Sequence, residues 1–139
     1  MFPRKVVPAR LVPAWEAFSA QAERIQRARE ALQSCVPVGR AARAPAPVGV
    51  ELMRDELDAI RPRMTAWRVE EVAEEWERCA EATDRARARC DRALEIVGDT
   101  DDGHVLLREV AAIVMPLETW LEAEQRWREL RVRPSRRAR

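Results

Sequence analysis

Residues 69–97 read VEEVAEEWERCAEATDRARARCDRALEIV. Within them Val69, Val72, Trp76, Cys79, Thr83, Ala86, Cys90, Ala93 and Val97 recur at alternating steps of three and four. An α-helix keeps residues spaced this way on one stripe, and packing against another helix requires such a stripe. The stretch opens acidic and closes basic, which complements the helix dipole at both ends. Its run Arg85, Arg87, Arg89, Arg92 is expected to form a solvated face pairing with Glu81, Asp84 and Asp91. A helix this long spans roughly 43 Å, more than a small domain needs, so it is expected to project as an arm or to be covered by a second chain.

Upstream, Val50, Met53, Leu57, Ile60, Met64 and Trp67 keep helical spacing and then jump two residues to Val69. Pro62 lies at the jump, and its ring predicts a kink near Arg61. Before this comes VPVGRAARAPAPVG, residues 36–49, which reads as a loop. A first helix is expected from Ala14 to Cys35, opened by Pro13, with Trp15, Phe18, Ala22, Ile25, Arg29, Leu32 and Val36 as its stripe. Arg29 marks a point where that seam must reach solvent or a carboxylate. Residues 1–12 are basic and Pro-rich, and are expected to form an extended tail.

Downstream, Gly98 is expected to supply a left-handed stop, and the following DTDD the N-cap of the next helix. Leu106, Val110, Ile113, Leu117, Trp120 and Trp127 continue the spacing, with Leu107, Val114 and Leu121 widening the apolar face. Pro116 must bend or restart this helix. Folding back at residues 98–103 brings together residues whose numbers sum to about 200, so small Thr83, Ala86, Cys90 and Ala93 meet bulky Leu107 to Leu117, and Trp76 falls near Trp120 and Trp127. The fold expected is all-α: a kinked bundle of three to four helices with a long antiparallel hairpin. The bundle domain spans 13–132, between an N-terminal tail 1–12 and an Arg-rich tail 133–139.

The 139 residues are 47% hydrophobic, enough for one domain with a modest core. Lys5 is the sole lysine and asparagine and tyrosine are absent, so the abundance of arginine is read as codon bias rather than phosphate recognition. The net charge of +1 conceals an uneven distribution, because residues 14–125 hold 15 basic and 23 acidic side chains, a net of −8. A body this acidic is a poor platform for nucleic acid. Cys35, Cys79 and Cys90 are an odd count without disulfide-scaffold density, read as reduced apolar residues of a cytoplasmic protein. No run is long enough to span a membrane.

Chemistry-bearing motifs are sparse. Gly98–Glu109 places Asp102, Gly103, Val105 and Glu109 at the fifth, sixth, eighth and twelfth positions of an EF-hand calcium loop, but Gly98 occupies the first, where a carboxylate is required. A capped helical turn is expected there. His104 is the single histidine and lacks a second imidazole or paired thiols at ligand spacing. No nucleophile with its base, no phosphate loop, no metal site and no cofactor is expected.

The function expected is therefore that of a non-enzymatic, self-associating helical interaction protein, an adaptor or small structural subunit. Tryptophan is enriched at interface hot spots, and Trp67, Trp76, Trp120 and Trp127 are the candidate partner contacts. One alternative is an accessory nucleic-acid-binding subunit gripping phosphates with Arg131, Arg133, Arg136, Arg137 and Arg139. A second is an antitoxin or immunity-type partner whose acidic body masks a basic enzyme.

Overall fold

The computed structural model describes residues 6–36 and 45–131. Expectations for the remainder, Arg133, Arg136, Arg137 and Arg139 included, lie outside the described residues. The chain is all-α, with α1 (Val12–Gln33), α2 (Ala46–Ile60), α3 (Ala73–Val97), α4 (Gly103–Val114) and α5 (Thr119–Glu129). Short 3-10 segments occupy Ala9–Leu11, Arg61–Trp67, Glu70–Val72 and Met115–Glu118. No helix among the described residues is long and apolar enough to cross a membrane.

Prolines set most of the boundaries. Pro13 and Pro47 sit in the first turns of α1 and α2, where a missing N–H is no loss. Pro47 thus lets α2 begin at Ala46, so the segment read as a loop to Gly49 gives its last four residues to a helix. Pro62 and Pro116 fall where helices change course: α2 passes at Ile60 into the 3-10 segment Arg61–Trp67, and α4 joins α5 through Met115–Glu118 as one bent rod. Gly98 corrects an expectation, since its φ of −71° is right-handed. The turn is secured on its far side instead, where Asp102 accepts a hydrogen bond from the His104 N–H at 2.9 Å and caps α4 as expected.

The stretch 69–97 is not one α-helix. Val69 is extended, Glu70–Val72 is a 3-10 turn, and α3 starts at Ala73. Nor is α3 an arm, for it is the central helix of the bundle, flanked by α2 on one side and by α4 and α5 on the other. Its small buried residues, Ala80, Ala82, Thr83, Ala86, Cys90 and Ala93, explain the difference: they let helices close in from both sides, so the chain covers α3 itself. The antiparallel register is as expected. Trp120 Nε1 donates to Thr83 Oγ1 at 3.1 Å, Arg89 pairs with Glu109 at 3.4 Å, and Arg126 with Glu75 at 3.7 Å, each pair summing to about 200.

At one end of the bundle, Phe18 lies among four tryptophans. Its ring centroid is 4.9 Å from Trp67, 5.7 Å from Trp120, and 6.1 Å from both Trp15 and Trp127. Trp67 in turn touches Trp76 and Trp120, at 6.5 and 5.4 Å. Trp76 therefore meets Trp67 rather than Trp127. The 3-10 segment that carries Trp67 leaves carbonyls without helical partners, and side chains supply them: Gln21 donates to the Arg63 carbonyl at 3.0 Å and Trp76 to that of Met64 at 2.7 Å. Gln21 also accepts from Trp67 Nε1 at 2.8 Å.

α1 is rotated by about one residue from its expected stripe. Ala14, Phe18, Gln21, Ile25, Ala28, Leu32 and Cys35 are buried, which leaves Trp15, Ala22, Arg29 and Val36 half-buried on the adjoining row. The part of the expected tail that is described packs too. Val7 and Leu11 are buried, and Arg10 pairs with Glu71.

Candidate interaction surface

A bundle closes when each helix finds neighbours on both sides. α1 packs closely on α2 and on Arg61–Trp67, but it barely touches α4. The side between α1 and the α4–α5 rod is left as a groove. One wall is the half-buried row Trp15, Ala22, Arg29, Val36, spaced by seven residues. The other is the row Leu107, Ala111, Val114, Glu118, Leu121 at three-four spacing, with Met115 beside it. The sequence explains why the walls stay apart: Ala22 is too small to reach across, Arg29 is too polar to be sealed in, and Pro116 bends the rod.

The groove contains two adjoining cavities. The larger, about 640 Å³, lies over Phe18 and Ile25 and is bounded by Trp15, Leu117, Trp120 and Leu121. The smaller, about 380 Å³, lies among Val36, Leu107, Val110, Val114 and Met115. Arg29 lines both. On the rod, Leu107 is 56%, Met115 64% and Leu121 52% exposed, and all three edge the groove. Large apolar side chains gathered in this way are the usual mark of a binding surface, whereas scattered ones are not.

Arg29 is the one cation among the residues lining these two cavities. Its Nε is buried and has no hydrogen-bond partner, and no carboxylate among the described residues comes within ion-pair distance of it. Glu118 lines the same cavity without pairing. A buried donor left unmet costs roughly 1–3 kcal/mol, and the acidic side chains lining the groove with Arg29 are Glu118 in the smaller cavity and Glu23 and Glu124 in the larger.

The tryptophans named from sequence lie elsewhere. Trp67, Trp76, Trp120 and Trp127 are buried inside the chain, and the expectation that they meet a partner is corrected. The aromatic cluster consumes their surface. Trp120 reaches the groove only as part of its floor. Trp15 is the sole tryptophan with substantial exposure, and it sits at the mouth of the groove 5.8 Å from Trp127. Sequence reasoning placed it with the core stripe, and a one-residue rotation of α1 separates the two assignments. Arg131, the described member of the arginine tail, stacks over Trp15 at 4.8 Å.

Several of the other charged side chains are paired within the chain. Arg87 bridges Asp58 at 2.6 Å and Asp91 at 2.7 Å, so the basic run of α3 ties partly to α2. Its guanidinium is held charged even more firmly than usual by hydrogen bonds from it to those carboxylates. Asp84, expected to serve the same run, pairs instead with Arg61 at 2.8 Å. Glu71, in the 3-10 turn ahead of α3, has its carboxyl held below the ordinary range by the hydrogen bond from Arg10. Glu109 is buried against Arg89, so the calcium-like spacing 98–109 turns its last acidic residue inward while α4 has already begun at Gly103.

All three cysteines are buried thiols. Burial pushes Cys79 up to about 12, with Glu122 and Glu75 adding to it, and it is also the largest cause of the rise of Cys90 to about 12. Cys35 is raised by burial as well. Such groups are packing elements rather than nucleophiles at neutral pH. Comparison of the chain with protein-family models, with curated proteins and with solved structures finds no match.

Proposed function

We propose that this chain is a non-enzymatic helical interaction protein, a small structural or adaptor subunit that associates with further copies of itself. The observation that supports this reading is the groove between α1 and the α4–α5 rod. It is an open face of mixed character, edged by exposed Leu107, Met115 and Leu121 and lined also by Arg29, Glu23, Glu118 and Glu124. A face of this kind is stabilised when another surface covers it. The nucleic-acid alternative draws on the arginine-rich end, of which Arg131 is described and is engaged with Trp15.

Light scattering coupled to size exclusion, with absorbance recorded at 260 and 280 nm, tests the reading on the purified full-length chain. Assemblies that grow with concentration and carry no nucleic acid are expected. A monomer across the whole concentration range would overturn self-association, and co-purified nucleic acid released by salt would favour the arginine-tail reading instead.

A further inference from the structure

Half of the large exposed apolar side chains among the described residues stand on the α4–α5 rod, as Leu107, Met115 and Leu121; the others are Val6 ahead of α1 and Val48 and Leu52 on α2. The three on the rod are placed symmetrically. Leu107 and Leu121 lie seven residues to either side of Val114, and Met115 lies beside that midpoint. Each leucine is thus about 10–12 Å from the midpoint, at 1.5 Å per residue in α4 and α5 and 2.0 Å in the 3-10 segment between them. The residue after each leucine is charged and exposed, Arg108 after Leu107 and Glu122 after Leu121. Arg108 has only its neighbour Glu109 within reach, at 4.0 Å, and Glu109 is buried against Arg89. Glu118 and Glu122 make no ion pair among the described residues. The exposed side of the rod is therefore basic ahead of its midpoint and acidic after it.

The geometry points to a two-fold dimer in which two copies of this chain pack their α4–α5 rods antiparallel, crossing at Val114–Met115. The inference rests on the self-association reading above and names its surface. In this arrangement Leu107 of one copy meets Leu121 of the other, the two Met115 side chains meet at the axis, and Arg108 pairs with Glu122, with Glu118 one turn away adding negative charge. A two-fold contact uses the same patch on both copies, so the patch must match itself. This one does, because each end of the row is complementary to the opposite end in its apolar and its charged positions alike. Charge also selects the direction. Parallel rods would set Arg108 against Arg108 and Glu122 against Glu122, and like charges brought together oppose binding. The outer face of α2, which exposes Glu51 and Asp55, would bring further carboxylates to Glu118 and Glu122. The antiparallel dimer covers Leu107, Met115 and Leu121, and with them the open edge of the groove.

The test is sedimentation velocity over a concentration series for the wild type, for Arg108→Glu, for Glu122→Arg, and for an equimolar mixture of the two variants. The wild type is expected to form a dimer, and each variant alone to associate more than about tenfold more weakly, because like charges then meet at both ends of the contact. The mixture is expected to recover association as a heterodimer, in which Glu at 108 meets Arg at 122 at one end and the native pair meets at the other. Both positions are exposed, and far-UV circular dichroism and melting confirm the fold; Glu122→Arg reports by itself even if Arg108→Glu fails to fold. Wild-type association unchanged in the variants would overturn this interface while leaving self-association standing. Stronger association of either variant alone would indicate parallel rods and overturn the antiparallel arrangement. A wild type that stays monomeric throughout would overturn both the interface and self-association.

Discussion

Gly49 and Gly98 show how differently one residue type acts within this chain. A Cβ on Gly49 would collide with the Cys35 sulfur and press on Leu32 at 3.4 Å, where the end of α1 crosses the start of α2. At Gly98 the nearest obstacle is the Leu94 carbonyl at 3.9 Å, an ordinary contact, and the backbone is right-handed. Gly49→Ala is expected to destabilise the chain by about 1 kcal/mol net, overpacking of roughly 1–3 kcal/mol being offset by a helix-propensity gain of up to about 1 kcal/mol. Gly98→Ala is expected to be neutral or slightly stabilising. Chemical denaturation of both variants, and of Gly49→Ala combined with Cys35→Ala, measures this; the pair should lose less than the sum of its parts. The cysteines give a pH dependence. Cys79 and Cys90 stay protonated in the fold up to about 12 but ionise near 9.0 when exposed. Their contribution is complete below pH 9 and is lost as pH rises from there through the folded value. Melting temperature should fall above pH 9, and at pH 8 thiol reagents should label the chain only as fast as it opens.

Among the elements, the 3-10 segment Arg61–Trp67 depends most on others. Its own geometry leaves carbonyls unpaired, and α1 and α3 each extend a side chain to it. Gln21 serves two groups at once, the Arg63 carbonyl and the Trp67 indole. Gln21→Leu keeps the volume but strands both in a buried site, and a loss of roughly 2–4 kcal/mol is expected from two unmet groups. Urea unfolding measures it, and a loss under 1 kcal/mol would show that the segment finds other partners. Thr83→Val removes the acceptor of the Trp120 indole and the hydroxyl that donates to the Cys79 carbonyl, and a loss of roughly 1–3 kcal/mol is expected, chiefly from the stranded indole N–H. Pro62 announced the break in the chain, but nothing near it in sequence announced Gln21, because the residues it joins are 42 and 46 positions away.

Across the whole molecule, surface charge and core contribute unequally. Arg24 with Glu56, Arg61 with Asp84 and Arg87 with Asp58 join adjacent segments at 2.6 to 2.8 Å, each with partly exposed side chains. Exposed pairs of this sort are worth about 0–1 kcal/mol. Asp58→Asn is therefore expected to lower the melting temperature only slightly, whereas Trp67→Ala, at the centre of the aromatic cluster, should cost about 3–5 kcal/mol. Raising salt from about 0.05 to 1 M should likewise barely move the melting point, because burial rather than surface charge holds this fold.

Helix periodicity, proline punctuation and turn chemistry are local, and they made the all-α class, the break at Pro62, the cap at Asp102 and the antiparallel register of α3 with α4–α5 readable from residue order. The rotation of α1 about its axis was not readable in this way. Its apolar residues fill two adjoining rows, and only contact with α2 and the Arg61–Trp67 segment selects Ala14, Gln21 and Ala28 over Trp15, Ala22 and Arg29 for the interior. That selection decides which α1 side chains stay at the surface. It leaves Trp15 and Arg29 on the open groove, while Trp67, Trp76, Trp120 and Trp127 are buried in the core. Spacing along a helix specifies which side chains share a face; which face is buried depends on the combined shape of every neighbour, and that exists only once the chain has packed.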